Sequence, residues 1–148
     1  MTVCIVNFVG CHRSARGQLR TRLKVLVVDD QSSLRRALRT SLATCGFEAV
    51  EARSGEEALT LLGSDHYDVV LLDLEMPGMD GIEVCRRIGQ LPRRPSVVML
   101  TVCDSDKDKV RAFDAGADDY LTKPVRFGEL VARIQTVVEA RNAEPERR

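Results

Sequence analysis

Asp68-Val-Val-Leu-Leu-Asp-Leu-Glu-Met-Pro-Gly-Met-Asp-Gly81 opens on an apolar run, Val69 to Leu72, and then meets an acid and a turn. The run is short and branched, the pattern of a strand buried on both faces. It ends on Asp73, and Pro77-Gly78 forces the chain to turn soon after. An acid where a buried parallel strand emerges lies at the sheet end where open α/β folds bind ligands. Lys24-Val-Leu-Val-Val28 repeats the pattern and stops on Asp29-Asp30. If the two strands are neighbours, three carboxylates converge on one pocket, and no apolar packing requires that.

Outward from this pair of strands, the chain alternates. Leu34, Ala37, Leu38, Leu42 and Cys45 recur at helical spacing, with Gly46 as a stop. Phe47 to Ala52 predicts a strand, and Ser54-Gly-Glu-Glu57 a capping box opening a helix through Leu62. A helix is expected over Gly81 to Ile88 and a strand over Ser96 to Leu100, ending on Thr101. Asp104 to Ala115 reads as a weakly amphipathic helix stopped by Gly116, and Asp119 to Thr122 as a last strand before Lys123-Pro124. Phe127, Leu130, Val131, Ile134, Val137 and Val138 mark a final amphipathic helix to about Arg141. Strands and helices in alternation predict an α/β fold with a parallel sheet covered on both faces. The strand order 2-1-3-4-5 puts both acidic strand ends at the switch point.

The chain has 148 residues, 44% hydrophobic and 30% charged, with zero net charge, which suits a soluble globular domain with a full core. Residues 1–23 lack a period and read as a disordered N-terminal extension; 24–141 form the organised domain and 142–148 a charged tail. Residues 1–24 hold five basic side chains and no acid, so the rest carries 17 basic against 22 acidic residues. That balance argues against nucleic-acid binding by the body of the chain. Five cysteines without a CxxC pair point to free thiols in a reducing cytoplasm. No apolar run approaches the roughly 20 residues of a membrane helix.

Carboxylates crowded to ~4 Å repel by about 4 kcal/mol per pair at an effective dielectric of 20, so such a cluster implies a cation. Hard oxygen ligands suit Mg²⁺, which completes its shell with water and phosphoryl oxygens. Thr101 and Lys123 end neighbouring strands at the same rim, and a hydroxyl and an ammonium there can neutralise a phosphoryl group. The expectation is that Asp73 is a nucleophile that becomes an acyl phosphate.

Asp29-Asp30, Asp73 with Met76-Pro-Gly-Met-Asp-Gly81, Thr101 and Tyr120-Leu-Thr-Lys123-Pro124 together resemble the receiver domain of two-component response regulators. The resemblance runs in order from about Lys24 to Arg141 and implies a flavodoxin-like, doubly wound five-stranded sheet. It implies that Asp73 takes phosphate from a histidine kinase or phosphotransfer partner. Asp30 would bind Mg²⁺ directly, Asp29 through water, and Glu75 through its backbone carbonyl. Lys123 would hold a phosphoryl oxygen beside a cis bond to Pro124, while Thr101 and Tyr120 would form the switch. Catalysis would be limited to the domain's own phosphorylation and dephosphorylation. Val102 and Glu75 depart from the family's usual residues, and both bear on the lifetime of the phosphorylated form.

Asp106 to Ile134 most resembles receivers of the winged-helix transcription-factor subgroup, which dimerise through the fourth helix, fifth strand and fifth helix. Carried over, Lys109 would pair with Glu129 and Asp119 with Arg133 across a twofold axis; an ordinary solvated face is the plainer reading. Gln135 stands where that subgroup often has a basic residue, and only a few residues follow the last helix. The competing reading is a metal-dependent phosphatase with an aspartyl-phosphate intermediate, which Asp73-Leu-Glu75 matches only approximately. A nucleotide-binding enzyme fares worse, since neither GxGxxG nor GxxxxGK occurs.

Overall fold

The computed structural model describes residues 22–102 and 105–143. The expectations for residues 1–21 and 144–148, and for Asp104 as a helix start, fall outside the described residues. Strands β1 (Lys24–Val28), β2 (Glu48–Ala52), β3 (Val69–Asp73), β4 (Ser96–Thr101) and β5 (Asp119–Thr122) alternate with helices. These are α1 (Ser32–Thr44), α2 (Gly55–Ser64), α3 (Gly81–Ile88), α4 (Asp106–Asp114) and α5 (Phe127–Ala143). The strands form one parallel sheet in the order β2-β1-β3-β4-β5.

Central β3 and β4 are buried along their whole length, while edge strand β2 is partly exposed. Alternate residues serve opposite cores, because a strand's side chains point to opposite faces. Leu26, Val28, Val70, Leu72, Val97 and Met99 pack with α2, α3 and the single buried residue of α4, Ala112. Val25, Val27, Val69, Leu71, Val98 and Leu100 pack with α1 and α5. The helix after β1 and the helix after β3 therefore lie on opposite faces, which opens a crevice between the two strand ends.

Helix starts follow side-chain caps where short polar residues precede them. Ser54, Asp80 and Ser105 each accept from the backbone N–H three residues on. The Ser54 box is not reciprocal: Glu57 turns back to the N–H of Arg53, one residue before the cap. Strand β2 begins at Glu48 rather than Phe47, because the Phe47 N–H closes on Leu42 O and its ring is buried under α1. Helix α4 begins at Asp106, since Ser105 is its cap.

At the end of the sheet away from the acids, Asp118 receives Arg94, Arg141 and the Val97 N–H, and Arg141 also reaches the buried Ser96 hydroxyl. This ties the far end of α5 to the starts of β4 and β5. Among the described residues no helix is long and apolar enough to cross a membrane.

Candidate functional site

The register pairs Val28 with Leu72, so the next residues, Asp29 and Asp73, stand side by side at the crevice. Asp29, Asp30 and Asp73 each bring a carboxylate oxygen into one group with all three within 4.8 Å of one another. Asp29 and Asp73 are buried and Asp30 is exposed. Thr101 ends β4 one residue past the partner of Asp73, and its side chain is fully buried. Its carbonyl accepts from the Lys123 N–H at 2.7 Å, which fixes the start of the loop after β5.

From that loop Lys123 Nζ reaches across to Asp29 Oδ2 at 2.9 Å and to Asp73 Oδ2 at 3.6 Å. The Lys123–Pro124 bond is cis. The Gln31 N–H donates to Asp29 Oδ1 at 2.9 Å, so both oxygens of Asp29 are engaged. The Glu75 N–H donates to Asp73 Oδ1 at 3.2 Å. Burial pushes the Asp73 carboxyl up to about 6; Lys123 pulls it down, and the charges of Asp29 and Asp30 add to the rise. The site thus holds more negative charge than its one ammonium offsets.

The loop from β3 to α3 is shaped by Gly78, at φ 79°, and by Gly81, whose N–H donates to Leu74 O at 2.9 Å. Opposite Glu75, a cleft of about 470 Å³ runs between this loop and α4, lined by Pro77, Asp80, Asp108 and Arg111.

The expected acids, Thr101 and Lys123 are brought to one rim. Tyr120 lies behind it, buried in the core face shared with α3 and α4, with Lys109 Nζ 5.8 Å from its ring centre. Asp119 and Arg133 are joined within the chain at 2.7 Å, and Arg133 also reaches Glu129 at 3.5 Å. Val102 is 65% exposed at the mouth of a groove shared with Leu34, Lys123 and Pro124.

Comparison with known proteins decides the family. The model of the response regulator receiver domain matches residues 25–135. This chain belongs to the response regulator receiver family. Response regulator MprA of Mycolicibacterium vanbaalenii is 43% identical over 116 residues, which are 78% of this chain and 50% of that protein. The chain thus spans about half the length of the curated relatives it matches. Among solved structures, the receiver domain of the Francisella response regulator 1452 superposes with a TM-score of 0.76 at 32% identity, covering 81% of this chain and 99% of that one. Response regulator TrrA of Thermotoga maritima, solved in complex with Mg²⁺ and BeF, has a TM-score of 0.71 at 35% identity, covering 78% and 98%. The flavodoxin-like sheet order is that of a receiver domain, which makes the acidic crevice the place to look for its chemistry.

Sequence reasoning overlooked one side chain here. Arg35, on the first turn of α1, donates from Nη1 to the backbone carbonyl of Asp29 at 2.7 Å. The signal available was a cation at a helix start, where the helix dipole disfavours one.

Proposed function

We propose that this receiver domain is a phosphorylation-controlled switch in which Asp73 accepts a phosphoryl group from a histidine kinase or phosphotransfer partner. The observation that carries the reading is one pocket holding the carboxylates of Asp29, Asp30 and Asp73 together with the Lys123 ammonium. The donor set fits Mg²⁺: hard oxygens, one exposed acid, and an excess of negative charge. Asp30 and Asp73 are the direct donors in this reading, with the Glu75 carbonyl, while Asp29, already engaged at both oxygens, serves through water. Bound there, Mg²⁺ supplies charge neutralisation for the transferring phosphoryl oxygens. The likeness to TrrA, solved with Mg²⁺ and BeF, supports this assignment.

An ionised Asp73 oxygen attacks phosphorus. A P–O bond forms, the P–N bond to the donor imidazole breaks, and the electron pair stays on the nitrogen, which takes a proton from solvent. Lys123 holds one phosphoryl oxygen and the Thr101 hydroxyl donates to another, coupling the site to Tyr120 behind it. The product face then controls a partner or a second copy. Val110 and Phe113 of α4, 58% and 47% exposed, lie on the helix that also carries Lys109.

Incubation with Mg²⁺ and acetyl phosphate should add one hydroxylamine-labile phosphoryl group to the intact mass. Asp73→Ala should abolish the label, and Asp30→Ala should weaken its Mg²⁺ dependence. Unchanged labelling of Asp73→Ala moves the acceptor elsewhere, and rapid turnover of phosphomonoesters supports the phosphatase instead. For self-association, sedimentation with beryllofluoride should show a dimer through α4, β5 and α5. Arg133 and Asp119 must then exchange their bond within the chain for one across the axis, so a species that stays monomeric removes that pairing.

A further inference from the structure

Arg35 stands where simple helix electrostatics argues against it. Helix α1 has no acid in its first turn and no side-chain cap at Gln31, yet its first turn ends on a guanidinium. That side chain is only 12% exposed. Its Nε donates to Glu51 Oε1 at 2.9 Å, and Arg39 Nη1 takes the other Glu51 oxygen at 3.1 Å. Burial alone would raise the Glu51 carboxyl, but the two arginines outweigh it and hold it below its ordinary value. Glu51 is thereby a fixed anion on β2, paired in register with Val27 of β1. Anchored there through Nε, the planar guanidinium holds its Nη1 donor in a fixed relation to that bond. That donor meets the Asp29 carbonyl at 2.7 Å.

This carbonyl belongs to the peptide unit joining Asp29 to Asp30. Because the unit is planar, holding its oxygen also fixes the nitrogen of Asp30 and the direction its Cα faces. The Asp29 N–H, bonded to Ala52 O at 3.2 Å, pins the preceding side of the same residue. We infer that Arg35, anchored by Glu51, is a positioning residue for the cation site, setting where the exposed Asp30 carboxylate projects toward Asp29 and Asp73. The inference rests on the proposed Mg²⁺ site and names a residue outside the acids themselves.

Charge and geometry predict opposite signs, which makes the test sharp. Removing a nearby cation by charge alone should tighten Mg²⁺ binding, whereas releasing Asp30 should weaken it. Calorimetric titration with Mg²⁺ alone, beside urea unfolding without metal, separates the two. Arg35→Met is expected to raise the Mg²⁺ dissociation constant about ten-fold, the usual scale for groups that orient metal ligands. Arg35→Lys, which keeps the charge but not the fork, should also bind more weakly than wild type and carries the test if Arg35→Met does not fold. Glu51→Gln should weaken binding in the same direction. Wild-type or tighter Mg²⁺ binding in folded Arg35→Met or Arg35→Lys overturns the inference, even if the unfolding midpoint falls. Wild-type protein that binds Mg²⁺ but takes no label at Asp73 overturns only the phosphoacceptor reading. Wild-type protein that binds no Mg²⁺ overturns both.

Discussion

Gly81→Ala is expected to cost about 3 kcal/mol or more of folding free energy, a large share of the 5–15 kcal/mol typical of a domain. A Cβ at Gly81 would stand 2.3 Å from Asp73 O and 2.7 Å from Leu74 Cα. Both are backbone atoms of the strand end and loop that carry Asp73, so no side-chain rotation relieves the clash. The Gly81 N–H bonded to Leu74 O closes that loop and would be pushed off with it. Gly55→Ala should be milder, because its nearest neighbour is the buried side chain Val84 Cγ2 at 2.5 Å. At Gly128, near the start of α5, nothing lies within 4 Å, and alanine there should gain up to about 1 kcal/mol from helix propensity. Urea unfolding midpoints for the three variants test the ranking. A loss below about 1 kcal/mol for Gly81→Ala would mean that the β3–α3 loop yields freely and does not hold Asp73 in place. The position of Asp73, the proposed acceptor, should suffer with the fold, so phosphoryl labelling of the folded fraction is expected to slow as well.

What could be read from the chain divides along sequence distance and along side chain versus backbone. The runs Val25 to Val28 and Val69 to Leu72 announced buried strands because every residue in them is apolar and branched, and Asp29 and Asp73 announced the rim by ending them. Parallel topology then brought those acids together without any knowledge of side-chain positions. Arg35 could not be found in this way, since its partner is a carbonyl oxygen, and every residue owns one. Gly81 was visible as a glycine, but the reason for it is the backbone of Asp73, eight positions earlier, which only the folded loop presents. The Ser96, Asp118 and Arg141 cluster was likewise hidden: its members are scattered along the chain and look like ordinary surface polar residues until β4, β5 and α5 converge. Helix α4 sat at the margin, because one buried alanine leaves almost no apolar period to read.

Asp73→Asn should make the metal-free protein more stable at neutral pH, even as it removes the proposed acceptor. The Asp73 carboxyl is pushed up to about 6, chiefly by burial, from an ordinary value of 3.8. Below about pH 4 the carboxyl is protonated in the folded and unfolded chains alike, and the wild type carries no charge cost. Between about pH 4 and 6 the unfolded chain releases its proton while the folded chain retains it, so stability falls as pH rises. Above pH 6 both states are ionised and the full cost stands, about 3 kcal/mol for a shift of this size. Asparagine keeps the shape without the charge, so its advantage should be absent at pH 4, grow through pH 6 and level off by pH 7. Urea unfolding in a chelator across that range reads the difference directly. The Lys123 ammonium, 3.6 Å from Asp73 and 2.9 Å from Asp29, offsets only part of this rise, of which burial is the largest cause. Added Mg²⁺ should therefore stabilise the wild type strongly and the variant weakly, narrowing or reversing the order. Equal stabilities for wild type and Asp73→Asn at pH 7 in chelator would show that burying the Asp73 charge beside Asp29 and Asp30 imposes no such cost, and with it would go the electrostatic reason for a cation in this crevice.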